Sequence, residues 1–517
     1  MDNLLQKSIS EISELLDKKE LTSVELTRLV LKQIKEKDKD IKAFITICEK
    51  EALEMAKKAD KRISTGERLS KIDGVPISIK DNILTKGIRT TAASKMLKDF
   101  VPVYDATIVE RLKNAGAVII GKTNLDAWAH GSSTENSGFF TTHNPYDLER
   151  VPGGSSGGSC AAVAADMGFA SFGTDTGGSI RQPAGFCGVV GLKPTYGRCS
   201  RYGLVAMASS LDVPGPIAKT AEDAAILLEI VCGHDSKDST TVSNRKFSVK
   251  GIKSVTSIKG LKIGIPKEYF AKGLDPKVEE KVRNAVKILE AQGAKIKQIS
   301  LPHTDYAVAV YYVIQPAEVS SNLARYDGIR YGYSVANVKA QMSNVKNLEE
   351  LYLRNRGEGF GEEAKRRIML GTYVLSAGYA EEYYKKAMRV RTLVIQDFKK
   401  AFKEIDVIIT PTSPTLPFKI GERESDPLSM YLSDIYTVSA NIAGIPGVSI
   451  PLGFVNSKSE IRNPKHIRNS NNQNSKKILN LKSEILNLPV GMQILGPQWS
   501  EELILRVANQ YKKLINN

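Results

Sequence analysis

The sequence predicts an α/β protein whose large mixed, mostly parallel central sheet is covered by helices on both faces. Short β-branched runs at residues 75–79 and 117–120 flank a segment of helical period at 106–115. This alternation is typical of a βαβ unit with parallel strands, and it returns over residues 261–301. With 517 residues, of which 42% are hydrophobic, the chain is long enough to bury a large core.

Helices and strands are predicted to follow one another along the whole chain. Thr22 and Glu25 have capping-box spacing ahead of leucine, valine and isoleucine residues at helical period, and residues 49–63 repeat that period. We expect residues 1–70 to be helices that pack on the core, and residues 71–517 to form a single larger domain. Its later strands are predicted at 261–265, 295–301, 407–410, 448–451 and 490–495, with helices at 276–291 and between the second of these strands and residue 402.

The net charge of +16 suggests a nucleic-acid ligand, but the charges are concentrated in two segments. Residues 236–260 and 455–489 each carry a net charge of +5, and the second segment is rich in asparagine and serine. Such composition favours solvated loops over a dedicated RNA-binding surface. We therefore interpret residues 456–488 as an exposed or disordered insert, and a non-catalytic RNA-binding protein remains the alternative that charge alone suggests.

Cysteine usage and hydropathy exclude several classes of protein. The five cysteines form no CxxC pair and are odd in number, so neither a disulfide framework nor a zinc site is predicted. The first thirty residues are charged throughout, and no run of eighteen apolar residues occurs anywhere. We expect a cytoplasmic protein without a membrane span, a signal peptide or a bound metal.

Residues 116–123 match the phosphate-binding pattern GxxxxGK[ST]. That mechanism needs a loop of free N–H groups between the two glycines, whereas here the intervening Ala-Val-Ile-Ile is itself a predicted strand. Nucleotide binding is therefore not expected at this position. Lys122 is expected to end a strand near the functional site or to pair with a carboxylate.

The stretch 151–191 is poor in charge and rich in glycine and small hydroxyl residues. It contains two runs, GGSSGGS at 153–159 and TDTGGS at 174–179, separated by an alanine-rich segment that reads as a buried helix. Glycine runs bring backbone N–H groups close to a bound atom. A flexible linker would not alternate with apolar segments in this way, so the stretch predicts a functional site with serines on loops of exposed amides.

A lysine is the candidate base for these serines. The five histidines have no partner motif for a Ser-His-Asp arrangement, and GGSSGG fits a nucleophile elbow only in part. An exposed lysine is neutral in roughly 0.04% of molecules at pH 7, but desolvation lowers its pKa by about 3–5 units. Lys80 follows the apolar run 75–79 and ends a buried strand, where desolvation is available. A lysine paired with Asp81 is the alternative.

These motifs resemble the amidase signature family, hydrolases that use a Ser-Ser-Lys triad. The resemblance is carried by SIKDN at 78–82, GGSSGGS at 153–159 and GTDTGGSIR at 173–181. Within that family, YYVIQPAEVSSNLARYDGIRYG and TVSANIAGIPGVSIPLG are similar to the glutaminase subunits of tRNA-dependent amidotransferases. The resemblance implies the amidase-signature fold, with residues 71–517 as its catalytic domain.

The resemblance assigns catalytic roles to individual residues. It implies that Ser179 is the acylating nucleophile, that Ser155 is the bridging serine, and that Lys80 is the base. In the family the bridging serine follows a cis peptide bond, which here joins Gly154 to Ser155. The oxyanion would be bound by the backbone N–H groups of the nucleophile's loop, those of Thr176, Gly177, Gly178 and Ser179.

Three further residues match positions that bind glutamine in the family. A pocket for free glutamine needs a cation for its α-carboxylate and an anion for its α-ammonium group. Arg367 and Asp434 match those positions and Tyr311 matches a third, although Tyr312 is the alternative, and both charged residues could instead lie on solvated helix faces. Trp128 and His130 stand where many relatives carry smaller or more flexible residues, which leaves the shape of this pocket open.

The function implied by the resemblance is hydrolysis of glutamine and delivery of ammonia to a partner subunit. In such a heterotrimer, with subunits B and C as partners, the partner uses ATP and Mg to convert Glu-tRNA(Gln) to Gln-tRNA(Gln), so no cofactor is expected in this subunit. The use of Asp-tRNA(Asn) instead is left open. The alternative function is that of a stand-alone hydrolase acting on a small amide.

Overall fold

The computed structural model describes residues 4–253, 257–337, 345–423, 426–456 and 487–516. The insert predicted at 456–488 lies outside the described residues, apart from the residues at its two ends. The described residues contain strands and helices in alternation, and a single sheet contains all of the named strands.

This sheet has eleven strands in the order β1-β3-β2-β4-β6-β5-β10-β11-β9-β7-β8 within the described part of the chain. The strands are β1 (Phe44–Ile47), β2 (Pro76–Lys80), β3 (Val118–Thr123), β4 (Ala170–Asp175), β5 (Val190–Lys193), β6 (Val213–Ala218), β7 (Lys262–Pro266), β8 (Lys295–Ile299), β9 (Val407–Pro411), β10 (Gly447–Asn456) and β11 (Asn487–Leu495).

Helices connect the strands and pack against the sheet. They are α1 (Ile9–Asp17), α2 (Ser23–Ile41), α3 (Glu49–Thr65), α4 (Thr107–Asn114), α5 (Gly157–Ala164), α6 (Arg181–Phe186), α7 (Ala221–Val231), α8 (Lys250–Lys253), α9 (Pro276–Ala291), α10 (Ala307–Leu323), α11 (Leu348–Gly359), α12 (Glu362–Leu375), α13 (Lys386–Ala401), α14 (Pro427–Tyr431), α15 (Val438–Ile442) and α16 (Glu501–Asn516).

The predicted mixed sheet is confirmed, but the expectation that it would be mostly parallel is wrong. The two predicted βαβ units do form parallel pairs, β2 with β3 and β7 with β8. Six of the ten strand pairings are antiparallel. One reason is that β5 and β6 are consecutive strands without a crossover helix between them, and such strands pair antiparallel.

The N-terminal helices share the hydrophobic core of the rest of the chain. The capping box predicted for Thr22 and Glu25 is present at the start of α2. Apolar residues of α1 and α2, among them Ile9 and Leu26, are fully buried in the same cluster as the strand residues Ile77 and Ile79. Helices α1 and α2 therefore pack on the core that the strands form.

The GxxxxGK[ST] match forms a strand rather than a loop. Lys122 lies within β3 and is fully buried. Its Nζ donates to the carbonyl oxygen of Ile83 and to Thr90 Oγ1, both at 2.7 Å, and lies 3.6 Å from Asp81 Oδ1. The prediction that this lysine pairs with a carboxylate is confirmed.

Candidate active site

Lys80 ends strand β2, and its ammonium group lies in a cage of hydroxyl and carbonyl oxygens. Every residue of β2 is buried, and Lys80 has no exposed surface. Its Nζ lies 2.8 Å from both Ser155 Oγ and Ser156 Oγ, and 3.0 Å from Thr174 Oγ1. The predicted contact between Lys80 and Ser155 is therefore formed.

Burial lowers the pKa of Lys80 to about 7, because desolvation penalises its charged form. The charges of Asp126 and Asp175 act in the opposite direction, since they favour the ammonium ion, but desolvation is the larger effect. Burial therefore makes the neutral form of Lys80 accessible near pH 7. Asp81, the alternative partner, instead lies near Lys122, and none of the ion pairs among the described residues joins it to Lys80.

Ser155 lies at the start of helix α5, in the first glycine run. The peptide bond between Gly154 and Ser155 is cis, as the resemblance implies. The Gly154 N–H donates to Gln182 Oε1 at 3.0 Å, and the N–H of Ser156 donates to the carbonyl oxygen of Ser179 at 3.0 Å. The second of these bonds ties the first glycine run directly to the loop that carries the predicted nucleophile.

The loop between β4 and α6 presents consecutive backbone amides without acceptors. Among the described residues, no hydrogen bond is donated by the N–H groups of residues 176–179, and Ser179 Oγ has no hydrogen-bond partner either. Ser179 is 6% exposed. Four unpaired N–H groups beside a serine hydroxyl can bind a developing oxyanion.

A buried ion pair fixes the end of this loop. Asp175 accepts hydrogen bonds from the N–H groups of Ile180 and Arg181, at 3.1 and 3.3 Å. The guanidinium of Arg181 also donates to Asp175, and Asn441 Nδ2 donates to the same carboxylate at 2.8 Å. These donors satisfy the Asp175 carboxylate, so the amides of 176–179 are held in place without using their own hydrogen bonds.

Tyr311 and Asp434 lie against this same loop. A Cβ atom built on Gly177 would be 3.0 Å from the Tyr311 hydroxyl oxygen, and one built on Gly178 would be 3.3 Å from Asp434 Oδ1. Glycine is required at 178, where φ is +141° and the Thr437 hydroxyl fills the space of a side chain. The structure therefore brings two of the three predicted substrate-binding residues to the predicted nucleophile's loop.

Asp434 is buried with one carboxylate oxygen unpaired. Ser132 Oγ donates to Asp434 Oδ2 at 2.6 Å, whereas Oδ1 has no partner among the described residues. Burial raises the pKa of Asp434 to about 7, although the Ser132 hydrogen bond opposes the shift. The predicted alternative of a solvated helix-surface carboxylate is wrong, because the residue is 7% exposed.

Arg367 is the third predicted residue and is likewise buried, with 3% of its surface exposed. Its Nε donates to Glu363 Oε1 and its Nη1 donates to Gln315 Oε1, both at 2.8 Å. The guanidinium also lies over the rings of Tyr312 and Tyr431, 5.1 and 5.3 Å from their centroids. The alternative of a solvated helix face is thus wrong for Arg367.

Close packing of α10 on α12 brings Arg367 to this position. A Cβ atom on Gly371 would clash with the carbonyl oxygen of Pro316, so the absence of a side chain at 371 allows the two helices to touch. Arg367 is one turn before Gly371, and Gln315 precedes Pro316. Both polar side chains are therefore enclosed between the helices.

Arg367 lines a cavity of about 210 Å³ together with Ser132 and Tyr312. Ser132 also donates to Asp434, so the carboxylate lies directly behind a residue of the cavity lining. The two tyrosines that the sequence left as alternatives occupy different places. Tyr311 lies against the glycine loop, whereas the ring of Tyr312 lies under the Arg367 guanidinium and lines the cavity.

Trp128 and His130 are both buried near this cavity. Trp128 has φ of +59° and packs on the rings of Tyr326 and Phe360, at centroid distances of 4.7 and 5.4 Å. Neither ring nitrogen of His130 has a partner among the described residues. Burial lowers the pKa of His130 well below its ordinary value, with the nearby Arg367 charge acting in the same direction. His130 is therefore a neutral imidazole.

Sequence reasoning missed several residues of the site. Ser156 and Thr174 contact Lys80, Ser132 contacts Asp434, and Gln315 and Glu363 contact Arg367. Ser156 and Thr174 stood inside the small-residue runs and were open to detection there. Nothing in the sequence marked the others, because their role depends on contacts between distant segments.

No group of three or more histidine, cysteine, aspartate or glutamate side chains is placed to hold a metal ion in the part of the chain that is described. Within the same residues, no helix is both long and apolar enough to cross a membrane.

Comparison with known proteins agrees with this geometry. A family model described as Amidase matches residues 25–505. The A subunit of glutamyl-tRNA(Gln) amidotransferase from Sulfurihydrogenibium sp. is 53% identical over 513 residues, 99% of this chain and 98% of the relative. The protein of the same name from Persephonella marina is 51% identical over 516 residues, again 99% and 98% of the two chains.

Solved structures show the same likeness. The A subunit of glutamyl-tRNA(Gln) amidotransferase from Thermotoga maritima has a TM-score of 0.74 at 42% identity, covering 98% of this chain and 95% of that one. The native peptide amidase of Stenotrophomonas maltophilia has a TM-score of 0.74 at 26% identity, covering 98% and 96%. Because the family model spans nearly the whole chain and the buried lysine meets its serines as the resemblance implies, this chain belongs to the amidase signature family.

Proposed function

We propose that this chain is the glutamine-hydrolysing subunit of a tRNA-dependent amidotransferase. One observation carries the proposal: a buried arginine lines a cavity, and a buried carboxylate with an unpaired oxygen lies between the serine loop and Ser132 of the same cavity lining. An amino acid carries one charge of each sign at its α-carbon, and this pair of side chains complements both. A general amidase has no need of such a pair.

The acylation step uses the three residues implied by the resemblance. Ser179 Oγ attacks the side-chain amide carbon of glutamine, and its proton passes to Ser155 Oγ as the proton of Ser155 passes to neutral Lys80. The distance of 2.8 Å between Lys80 Nζ and Ser155 Oγ supports the second transfer. The unpaired N–H groups of residues 176–179 stabilise the negative charge on the carbonyl oxygen.

Collapse of the tetrahedral intermediate breaks the carbon–nitrogen bond. The proton held by Lys80 returns through Ser155 to the departing nitrogen, so that ammonia leaves and a γ-glutamyl ester remains on Ser179. Water then attacks the ester by the same route in reverse. Glutamate is released and the three side chains return to their starting protonation states.

Arg367 and Asp434 select the substrate by charge. In this proposal Arg367 binds the α-carboxylate, and Asp434 Oδ1 accepts from the α-ammonium group. Tyr311 lies against Gly177, where it would be next to the reacting amide. Ser132 holds the other oxygen of Asp434, which orients the unpaired oxygen.

The printed names of the relatives support the larger assembly. We propose that ammonia passes to a partner subunit, with B and C subunits completing a heterotrimer that converts Glu-tRNA(Gln) to Gln-tRNA(Gln). ATP and Mg would be used by the partner, and this subunit would need no cofactor. Co-purification of two further subunits with the chain is the direct measurement. A cytoplasmic location stays a prediction.

Mass spectrometry of enzyme quenched during glutamine turnover tests the catalytic assignment. We expect an added γ-glutamyl group on the peptide that carries Ser179. An adduct on Ser155 or Ser156 would overturn the assignment. Absence of glutamine turnover together with hydrolysis of small neutral amides would instead favour the stand-alone amidase.

A further inference from the structure

Gln315 is a fully buried polar side chain that the proposed mechanism does not use. It lies in α10, has no exposed surface, and accepts a hydrogen bond from Arg367 Nη1 at 2.8 Å through Oε1. Its Nε2 has no partner among the described residues. An unpaired buried amide N–H group is unfavourable, so it marks a position where an acceptor is missing.

The unpaired nitrogen lies beside the guanidinium. Oxygen and nitrogen of one carboxamide share a carbon atom, so Nε2 is next to the oxygen that Arg367 contacts. Arg367 Nη2 also lacks an acceptor within the described residues, whereas Nε is held by Glu363. Two donors from different helices, one charged and one neutral, are therefore left together without acceptors.

We propose that Gln315 is a further substrate-binding residue, whose Nε2 donates a hydrogen bond to the α-carboxylate that Arg367 binds. The proposal rests on the proposed function, since it presupposes an amino-acid substrate. A carboxylate has two oxygens and takes donors from two directions, so one oxygen accepts from Arg367 and the other from Gln315. The ammonium group of the same ligand then meets Asp434 Oδ1, an unpaired acceptor beside the serine loop.

The competing explanation is that Gln315 only positions Arg367. Its Oε1 contact alone would do this, in the way that Glu363 holds Nε. The two explanations differ once the arginine is removed. A positioning residue then has nothing to position, whereas a direct donor still contacts the carboxylate.

A double-mutant cycle of Gln315→Met and Arg367→Met separates these explanations. The purified protein, together with any subunits that co-purify, is assayed for kcat/KM on glutamine and on the α-methyl ester of glutamine, which has no carboxylate charge. We expect Gln315→Met to lower the preference for glutamine over the ester by about 10- to 100-fold, mainly through KM. In the Arg367→Met background, Gln315→Met should still lower the preference for glutamine over the ester by about 3-fold or more. No further loss in that background would overturn the proposal.

The thermal unfolding midpoint of Gln315→Met reports whether this variant folds. If it does not fold, a second variant takes its place. Gln315→Glu has the same size and keeps the acceptor for Arg367, but it lacks the donor and adds a negative charge. Calorimetric titration with glutamate should show a loss of binding of 10-fold or more, and unchanged binding would overturn the proposal. If Arg367→Met alone leaves the preference for glutamine unchanged, the proposed function fails instead, whatever Gln315 does.

Discussion

The two buried polar clusters of the site differ in how fully their hydrogen bonds are satisfied. Around Lys80, the side chain has three hydroxyl partners within 3.0 Å, and its cage is complete without a ligand. Around Arg367 and Asp434, buried atoms remain unpaired, namely Asp434 Oδ1 and Gln315 Nε2. Unsatisfied buried groups are unfavourable, so a bound ligand that forms hydrogen bonds with these atoms would stabilise the second cluster.

This difference indicates that the fold arranges the catalytic residues and the substrate-recognition residues in different ways. The lysine cage is formed by neighbouring strands of the sheet and by the start of one helix, and it lowers the pKa of Lys80. The recognition cluster is built between α10 and α12 and the segment at 432–437, and it places a guanidinium on the cavity and a carboxylate beside the serine loop. Substitutions in the first cluster should therefore affect every substrate, and those in the second should affect charged substrates.

The largest effect is expected from Lys80→Met. Removal of the base should lower kcat by about 10²- to 10⁴-fold on glutamine and on a small uncharged amide alike, because both reactions need proton transfer from Ser155. Steady-state kinetics on both substrates provide the measurement. Methionine fills the buried volume without a charge, so the thermal unfolding midpoint should not fall greatly. A loss of activity confined to glutamine would mean that Lys80 recognises the substrate, and the two clusters would then not differ in function.

Arg367→Met and Asp434→Asn should each lower kcat/KM for glutamine by about 10- to 150-fold, because each removes a charge-assisted hydrogen bond in a desolvated pocket. The uncharged amide should lose far less, since Ser179, Ser155 and Lys80 are untouched. Lys399, an exposed residue of α13, supplies the control as Lys399→Met, with little loss expected on either substrate. Equal losses on both substrates would mean that Arg367 and Asp434 support the fold.

A pH profile should resolve the two clusters in one experiment. Lys80 must be neutral and its pKa is about 7, so activity on either substrate is lost as pH falls through 7. Asp434 must be charged to bind the ammonium group and its pKa is also about 7, so glutamine binding is lost over the same range. Well below pH 7, kcat/KM, which reports the free enzyme, should fall about 100-fold per pH unit on glutamine and about 10-fold per pH unit on the uncharged amide. Identical slopes would show that Asp434 does not titrate with substrate recognition.

Some of these elements could be predicted from the sequence, and others could not. The pairs β2–β3 and β7–β8 were predictable because β-branched runs flank a segment of helical period. Strand β6 was missed because it contains Pro214 and Pro216, which are unusual inside a sheet. Strand β5 pairs only with Ile217 and Ala218, so the two prolines lie on a stretch that β5 leaves unpaired.

The functional site likewise contains residues that could be predicted from the sequence and residues that could not. Lys80 was a candidate because a charged residue at the end of an apolar strand is detectable by local pattern. Its contact with Ser155, 75 residues away, came from resemblance alone. Gln315 and Ser132 gave no signal, because the polar side chains of a helix or loop become informative only when tertiary contacts show which of them are buried.

The smallest effect is expected from replacing residues 457–486 with a short Gly/Ser turn. This change tests a region that neither cluster includes, and it therefore provides the reference for the others. Strands β10 and β11 pair antiparallel up to Asn456 and Asn487, which are opposite each other in the register. A two-residue turn can close such a pair, so the sheet needs no longer connection there. We expect glutamine kcat/KM to stay within about 2-fold of the parent, because Gln493, at the other end of β11, keeps its bonds to Arg181 and Thr410. A large loss of glutaminase activity would show that the removed residues contribute to the site, and the insert would then have been misread as low-complexity sequence.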